Sequence, residues 1–483
     1  MNWILLFDII YVLILILVCL RIVYDTNSVT KTLAYLMLTI FIPLFGMLFY
    51  FVVGINYRKR KVYNKKLTRD NELRRTLEER IINRTEDNLK LVAEHVREGA
   101  GLVNLLLKDS WSPLTAGNTV KIFVNGEEKF PEMLEAMRQA KHHIHIQYYI
   151  FENDHIGHMI KDVLIEKLKE GVQVRFTYDD FGSWIIRKTL VEEIRKAGGE
   201  VFPFNKIRWV LFANRLNYRN HRKIVIIDGQ TAFTGGINVS DRYINTPENE
   251  NCYYWRDTHM RIDGPGCYYL QYVFLCDWNF CSGQQIQPER VYFNAPRESN
   301  SDVAVQIAAS GPDSPTATIM LSLLKAIGLA KKQVLITTPY FIPGESILDA
   351  LKVAALSNVS VKLLVPYKSD SRLVNAAARS YYTDLLSAGV EIYLYKKGFV
   401  HAKTLVVDDY ISMVGTSNMD NRSFDLNFEV NAIVYHQEVA SRLTEIFTAD
   451  LLVSEKIDPI RWRDRSVFRQ LLGRIARLLS PLL

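Results

Sequence analysis

The sequence His221-Arg222-Lys223-Ile224-Val225-Ile226-Ile227-Asp228 returns in form as His401-Ala402-Lys403-Thr404-Leu405-Val406-Val407-Asp408. Both octapeptides follow the pattern H-x-K-x4-D. Each is also followed in register by glycine and asparagine, in Gly235-Gly236-Ile237-Asn238 and in Gly415-Thr416-Ser417-Asn418. One such octapeptide beside a buried strand could arise by chance. Two with matching sequels indicate an internal duplication.

The segments before each motif also correspond. In each half, short apolar runs alternate with amphipathic helical patterns, which predicts strands alternating with helices. This order predicts an α/β fold of two pseudo-symmetric lobes, residues 118–296 and 297–455, each with a mixed sheet flanked by helices. The predicted strands are Ile144–Phe151, Val172–Tyr178 and one after Gly198, then Val334–Ile342, Val359–Pro366 and one opening at Gly389.

Strand geometry predicts what each motif presents. Side chains alternate across a strand, so the histidine and the lysine two positions later share a face. Asp228 and Asp408 lie seven positions after their histidines, which puts them on the opposite face or beyond the strand end. By this argument the aspartates are scaffolding groups rather than proton carriers.

Two lobes related by a pseudo-two-fold axis would bring two histidines, two lysines and the amides of Asn238 and Asn418 to one cleft. Lysines and amides can neutralise a phosphodiester, while one imidazole attacks phosphorus and the other protonates the leaving oxygen. A carboxylate is needed to fix the tautomer of each ring. Asp257 and Glu429 follow His221 and His401 at comparable distances, and we predict that they have this role.

These paired motifs resemble the phospholipase D superfamily, and nearly the whole chain resembles its bacterial cardiolipin synthase family. Further matching segments are Ser310-Gly311-Pro312-Asp313, Thr338-Pro339-Tyr340-Phe341-Ile342-Pro343 and Ser480-Pro481-Leu482-Leu483. The resemblance implies a phosphatidyltransferase that uses phosphatidylglycerol as donor and acceptor and forms cardiolipin and glycerol through a phosphohistidine. It implies neither a metal nor another cofactor.

The resemblance also implies which residues act. The family's active-site positions map without mismatch onto His221, Lys223 and Asp228 and onto His401, Lys403 and Asp408. In relatives the first histidine is usually the nucleophile, which implies that His221 attacks and His401 serves as acid and then base. The pseudo-symmetry leaves the reverse assignment open.

The N-terminus predicts a membrane anchor. Residues 3–20 carry only Asp8 as a charged side chain, and residues 33–54 carry none, so residues 1–54 are predicted to form a two-helix transmembrane hairpin that is not cleaved as a signal peptide. Seven lysines and arginines between residues 58 and 69 predict that the rest of the chain is cytoplasmic, at a bacterial cell membrane. This cluster either sets topology only or also attracts anionic lipid. Residues 55–117 are predicted to be a basic and helical connector.

The tail, residues 456–483, is predicted to be a cationic amphipathic segment. Such a helix either lies in the membrane interface or packs as an ordinary surface helix. The apolar side chains at helical spacing are Val467, Phe468, Leu471, Leu472, Ile475, Leu478 and Leu479, and the interrupting cations are Arg465, Arg469, Arg474 and Arg477.

Two other features invite a functional interpretation. His143 and His145 share a strand face, but no third ligand accompanies them at a diagnostic spacing, so we do not predict a metal site there. The basic and aromatic stretch 206–222 either collects lipid headgroups or is a solvated loop.

Composition leaves several functions to compare. A net charge of +7, from 59 Lys and Arg against 52 Asp and Glu, suits an anionic membrane or nucleic acid without selecting either. The anchor argues against a nuclease, so the predicted partners are phosphatidylglycerol and anionic membrane lipid, with no nucleic acid. A hydrolytic phospholipase D or another phosphatidyltransferase of the superfamily is the main alternative. A catalytically dead scaffold is disfavoured by intact motifs in both halves.

Overall fold

The computed structural model describes residues 3–26, 29–51, 78–206, 218–245, 253–296, 301–478 and 480. The basic cluster at 58–69, residues 207–217 of the basic and aromatic stretch, and residues 479 and 481–483 lie outside this part.

The strands are β1 Thr115–Val124, β2 His143–Tyr148, β3 Gln173–Asp179, β4 Glu200–Phe204, β5 Ile224–Ile227, β6 Thr231–Gly235, β7 Tyr254–Arg256, β8 Thr258–Asp263, β9 Val303–Ser310, β10 Gln333–Thr337, β11 Phe341–Ile342, β12 Ser360–Pro366, β13 Glu391–Tyr395, β14 Gly398–Val400, β15 Thr404–Val407, β16 Ile411–Gly415, β17 Met419–Asp420, β18 Glu429–Tyr435 and β19 Ser454–Lys456.

The helices are α1 Trp3–Asp25, α2 Val29–Phe41, α3 Pro43–Phe49, α4 Glu78–Leu91, α5 Ala93–Val96, α6 Ala100–Ser110, α7 Asn125–Arg138, α8 His155–Lys169, α9 Leu190–Lys196, α10 Cys267–Ser282, α11 Thr318–Leu329, α12 Glu345–Leu356, α13 Arg372–Ser387, α14 Asn421–Asp425, α15 Gln437–Leu452, α16 Pro459–Arg463 and α17 Val467–Leu478.

The duplication is visible in the order of the strands. A 15-stranded sheet runs β19-β13-β12-β10-β15-β16-β18-β9-β1-β8-β6-β5-β2-β3-β4, and its two halves mirror each other about the antiparallel β9–β1 pair. In each half three strands are parallel, β2-β3-β4 and β10-β12-β13, and the neighbouring strands are antiparallel. The predicted α/β fold of two repeated lobes with mixed sheets is therefore confirmed.

The motif strands β5 and β15 lie in the interior of this sheet. Each is paired on both sides, β5 with β2 and β6, and β15 with β10 and β16. The four residues of β5 are all buried, as a strand covered on both faces by apolar layers requires. The side chains that precede each strand are thereby held on a rigid support.

The predicted two-helix transmembrane hairpin at the N-terminus is not confirmed. Within the described residues, α1 is the one helix long and apolar enough to cross a membrane. The second apolar stretch breaks before Pro43, which lacks an N–H to continue the helix. Helix α3 then turns back along α2, because Gly46 lies against the backbone of Leu38. Tyr50 donates to Asp25 at 3.2 Å, so the end of α3 lies beside the end of α1.

The tail helix α17 packs on α13 through its small residues. Gly473 lies against Ala376 and Ser380, Ala476 is buried, and Arg477 pairs with Asp384 at 3.1 Å. The large apolar side chains point away from the protein and are about half exposed or more. These are Val467, Phe468, Leu471, Leu472, Ile475 and Leu478.

Candidate active site

The backbone of each lobe holds the catalytic motif of the other. The N–H of His221 donates to the carbonyl of Phe428 at 2.9 Å, and the N–H of His401 donates to the carbonyl of Arg256 at 2.6 Å. Next to these contacts, β14 of the second lobe pairs in parallel with β7 of the first. The two motifs therefore begin at the seam between the lobes.

The carboxylates that orient the histidines are exchanged between the lobes. His221 Nδ1 lies 2.9 Å from Glu429 Oε2, and His401 Nδ1 lies 2.7 Å from Asp257 Oδ2. Asp257 and Glu429 were predicted for this role from their spacing behind the histidine of their own lobe, so that pairing is wrong. The spacing was misleading because strand ends of both lobes meet at the seam. Nδ1 is engaged in each ring, which leaves Nε2 as the nitrogen for chemistry.

Both carboxylates are themselves held in place. Glu429 is fully buried and accepts from Thr416 Oγ1 at 2.5 Å and from Asn427 Nδ2 at 3.2 Å. Asp257 is fully buried and accepts from the N–H of Thr258 at 2.7 Å. Such packing fixes the tautomer and the direction of each imidazole.

The two lysines share one electrostatic environment with both histidines. Lys223 Nζ donates to the carbonyl of His221 at 2.8 Å, and Lys403 Nζ donates to the carbonyl of His401. Burial lowers the pKa of Lys223 to about 7 and that of Lys403 to about 8. Burial also lowers the pKa of each histidine to about 4, and each lysine contributes to lowering the pKa of the histidine in the other lobe. In the free site both imidazoles are therefore neutral, and they lie next to two lysines that lose their protons easily.

The two asparagines are not equivalent. Asn238 Nδ2 donates to the hydroxyl of Tyr243 at 2.7 Å, and its Oδ1 accepts from the N–H of Ile150 at 3.2 Å. These contacts engage both ends of the Asn238 amide in holding the surrounding fold together. Asn418 Oδ1 is buried and has no hydrogen-bond partner within the described residues. Of the two amides, Asn418 is therefore the one whose oxygen has no partner among the described residues, while its side chain also hydrogen-bonds Asp420.

The structure does not bring Asp228 and Asp408 into this site. Each lies in the turn after its motif strand with a positive φ of 53°. Asp228 accepts from the backbone N–H groups of residues 141–143, and Asp408 accepts from those of residues 331–333. The assignment of Asp228 and Asp408 as catalytic residues is therefore wrong. They tie the far end of β5 and β15 to the loops before β2 and β10, as the odd offset from the histidines predicts.

Comparison with known protein families finds the same duplication. A family model described as "Cardiolipin synthase, PLD-like domain" matches residues 133–261 and 323–451. The cardiolipin synthase of Alkalihalophilus pseudofirmus is 39% identical over 99% of this chain and 93% of its own. The major cardiolipin synthase of Bacillus subtilis is 40% identical over 98% of both chains. The chain belongs to the cardiolipin synthase family.

A solved structure of more distant sequence has the same fold. The phosphatidylserine synthase of Haemophilus influenzae aligns with a TM-score of 0.59 and 14% identity, over 79% of this chain and all of that one. As a member of the cardiolipin synthase family, the present chain is an enzyme, a phosphatidyltransferase of the phospholipase D type.

Sequence reasoning missed the aromatic walls of the site. Tyr149 lies edge-on to His221 with ring centroids 4.9 Å apart. Trp255 and Phe399 flank His401 at 5.5 and 5.9 Å, one from each lobe. Their positions in the sequence could have indicated them, because these aromatic residues lie in or directly after strands that end at the seam.

His143 and His145, set aside as a metal pair, lie elsewhere in the core. Both rings contact Gln271 Oε1, at 3.4 and 3.2 Å, and the ring of His145 stacks on Phe274. Burial lowers the pKa of His143 to about 4. These contacts give both residues a packing role.

Proposed function

We propose that the chain transfers the phosphatidyl group of one phosphatidylglycerol to a second one, forming cardiolipin and glycerol. The observation that carries this proposal is the seam itself, where two buried imidazoles, each fixed at Nδ1 by a carboxylate, share two lysines. Membership of the cardiolipin synthase family supports the choice of lipid.

The proposed first step forms a bond between His221 Nε2 and phosphorus while the bond from phosphorus to the glycerol oxygen breaks. His401 Nε2 donates its proton to that oxygen, and glycerol leaves. A bound phosphodiester anion raises the pKa of His401 from its low value, which supplies the protonated form. Asp257 stabilises the His401 imidazolium before this proton is given up.

The second step reverses the first with a new alcohol. His401, now neutral, accepts the proton of a hydroxyl on the second phosphatidylglycerol, whose oxygen attacks phosphorus and releases His221. Both lysines oppose the charge that develops on the phosphoryl oxygens. The histidines are 9% and 8% exposed, which favours a lipid alcohol over bulk water as the acceptor.

The direct test gives purified full-length protein a single lipid, phosphatidylglycerol, in mixed micelles. We expect one glycerol released for each cardiolipin formed. Phosphatidic acid as the main phosphatidyl product would instead identify the hydrolytic alternative, and no release of glycerol would reject both reactions.

The lowered lysine pKa values predict an alkaline limit to activity. A lysine is charged below its pKa, so the site loses positive charge as pH rises through the values of about 7 and 8. We expect kcat/KM to fall above this range because the phosphodiester loses its counter-charges. In Lys223→Arg the guanidinium stays charged, so the first loss of charge, near pH 7, should disappear and the alkaline limb should move towards pH 8. The measurement is a pH profile of both proteins, and an unmoved limb in a folded, active variant would contradict this assignment.

Attachment to the bacterial membrane through α1 is part of the proposal. Two crossings and a cytoplasmic location of the lobes stay predictions from hydropathy and from the lysine and arginine counts. The return of α3 along α2 favours a single crossing by α1, because the end of α3 lies beside Asp25. A helix of 13 residues is also about 20 Å long, shorter than the ~30 Å hydrocarbon layer.

We further propose that α17 lies in the membrane interface. Its small residues face α13, which leaves a continuous apolar face outward, and Arg474 on the same helix is exposed and suits anionic headgroups. The carbonyl of Ser480 accepts from Asn421 Nδ2 at 3.1 Å, three positions after Asn418. Docking of α17 would therefore place the mouth of the active site at the lipid surface.

Two aspartates on this face test the docking. Burying one large apolar side chain contributes about 1.5–3 kcal/mol, so Phe468→Asp with Leu472→Asp should raise the KM for vesicular phosphatidylglycerol at least ~10-fold. Turnover of a short-chain, monomeric phosphatidylglycerol should be unchanged. Leu452→Asp is the matched control because Leu452 is 84% exposed on another helix. An equal effect of the control, or none of the double variant, would return α17 to an ordinary surface helix.

A further inference from the structure

A second cluster of ligating side chains lies outside the active site. His95 belongs to α5 in the connector, Asp302 precedes β9, and His436 precedes α15. His95 Nε2 lies 2.8 Å from Asp302 Oδ2, and His436 Nε2 lies 3.1 Å from Asp302 Oδ1. Three segments that are far apart in sequence thus direct two imidazoles at one carboxylate.

The three groups are close enough to share one ion. One ligand atom from each residue lies within 4.8 Å of the other two. Metal–ligand bonds of about 2.0–2.2 Å at a tetrahedral centre separate ligand atoms by roughly 3.3–3.5 Å, so the groups need only small adjustments. The two imidazole rings are already roughly aligned, with centroids 5.6 Å apart and planes tilted by 32°.

The exposure of the cluster suits an ion that enters from solvent. The His436 side chain is 11% exposed, while those of His95 and Asp302 are 30% and 56% exposed. The inner histidine provides a fixed ligand, and the outer two leave room for water in the remaining coordination positions.

We propose that His95, Asp302 and His436 form a Zn²⁺ site. Two neutral imidazoles and one carboxylate are ligands that suit Zn²⁺, whereas Mg²⁺ and Ca²⁺ prefer sites made of oxygen atoms. Binding replaces the contacts of both Nε2 atoms with Asp302 by bonds to the ion, and any proton on Nε2 moves to Nδ1 or to solvent.

The position of this Zn²⁺ site gives it a structural role. The N–H of His436 donates to the carbonyl of Tyr410 at 3.0 Å, in the turn after β15, whereas His401 precedes that strand. The strand and its flanks from residue 401 to 408 span about 20 Å, so the ion is remote from the reacting phosphate. It ties the connector to the second lobe, beside the Arg97–Asp409 ion pair at 2.5 Å.

The test is a titration of chelator-treated full-length protein in detergent with Zn²⁺, followed by calorimetry. We expect one equivalent bound by the wild type, at least a 10-fold loss of affinity in His95→Ala and Asp302→Asn, and no binding of Mg²⁺. His155→Ala is the matched control because His155 is exposed in the first lobe, and it should bind Zn²⁺ as the wild type does.

Thermal unfolding and Co²⁺ spectra provide independent readouts. Zn²⁺ should raise the unfolding midpoint of the wild type and of His155→Ala but not of His95→Ala, because a ligand that binds the folded state stabilises it. Co²⁺ should give the visible absorption of a histidine-bound ion in the same proteins. Equal Zn²⁺ affinity in His95→Ala and the wild type, or no binding by the wild type, would overturn the proposal. Either result leaves the proposed transfer reaction unaffected, since cardiolipin formation is measured separately.

Discussion

Replacing His221 with alanine is expected to abolish the covalent intermediate, and replacing His401 with alanine is expected to preserve it for one kind of substrate. Loss of the nucleophile leaves no nitrogen to bond to phosphorus, and loss of the acid leaves the glycerol oxygen unprotonated. Positioned acid–base groups contribute about 10²–10⁴-fold, so both variants should lose at least ~10²-fold in turnover of phosphatidylglycerol.

A phosphodiester with a nitrophenolate leaving group separates the two roles. This leaving group needs no proton, so His401→Ala should release one equivalent rapidly and accumulate a phosphorylated protein. His221→Ala should show no burst. The reverse pattern would assign the nucleophile to His401, as the pseudo-symmetry allows, and near-normal turnover of phosphatidylglycerol by either variant would contradict the two-histidine mechanism.

A second large effect is expected from replacing the exchanged carboxylates. Because each carboxylate contacts the histidine of the other lobe, its replacement should impair that histidine. Glu429→Gln removes the charge beside His221, so the burst with the nitrophenyl substrate should slow by roughly 10²–10³-fold. Asp257→Asn acts on His401, so that variant should keep the burst and lose turnover of phosphatidylglycerol. Quench-flow measurement of the burst and steady-state assays of both variants test this pattern.

The isosteric change Glu455→Gln is the control for Glu429→Gln, because Glu455 is exposed on β19 and should leave both assays unchanged. Circular dichroism should show that all variants are folded. If Glu429→Gln spared the burst and Asp257→Asn removed it, each carboxylate would be acting within its own lobe, against the contacts at the seam.

The sequence predicted the features that repeat locally. Alternation of apolar strands and helices, repeated around His221 and His401, was sufficient for two lobes with mixed sheets. The odd offset of Asp228 predicted that it lies away from the histidine. Pairing across the seam could not be predicted, because sequence spacing does not say which strand end of the other lobe comes next to Asp257. The turn within the second apolar stretch could not be predicted, because hydropathy gives the length of an apolar run and not the fold-back that Pro43 and Gly46 permit.

The seam also orders the events of biosynthesis. A ribosome makes the first lobe before it makes β18, so a nascent chain carries His221 while Glu429, 208 residues away, has yet to be translated. When His401 is translated, Asp257 is already present, but His401 itself belongs to the second lobe and is therefore also made late. A truncated product that ends between the lobes would therefore hold an unoriented histidine, and the membrane around it would be spared premature cleavage of its phospholipids.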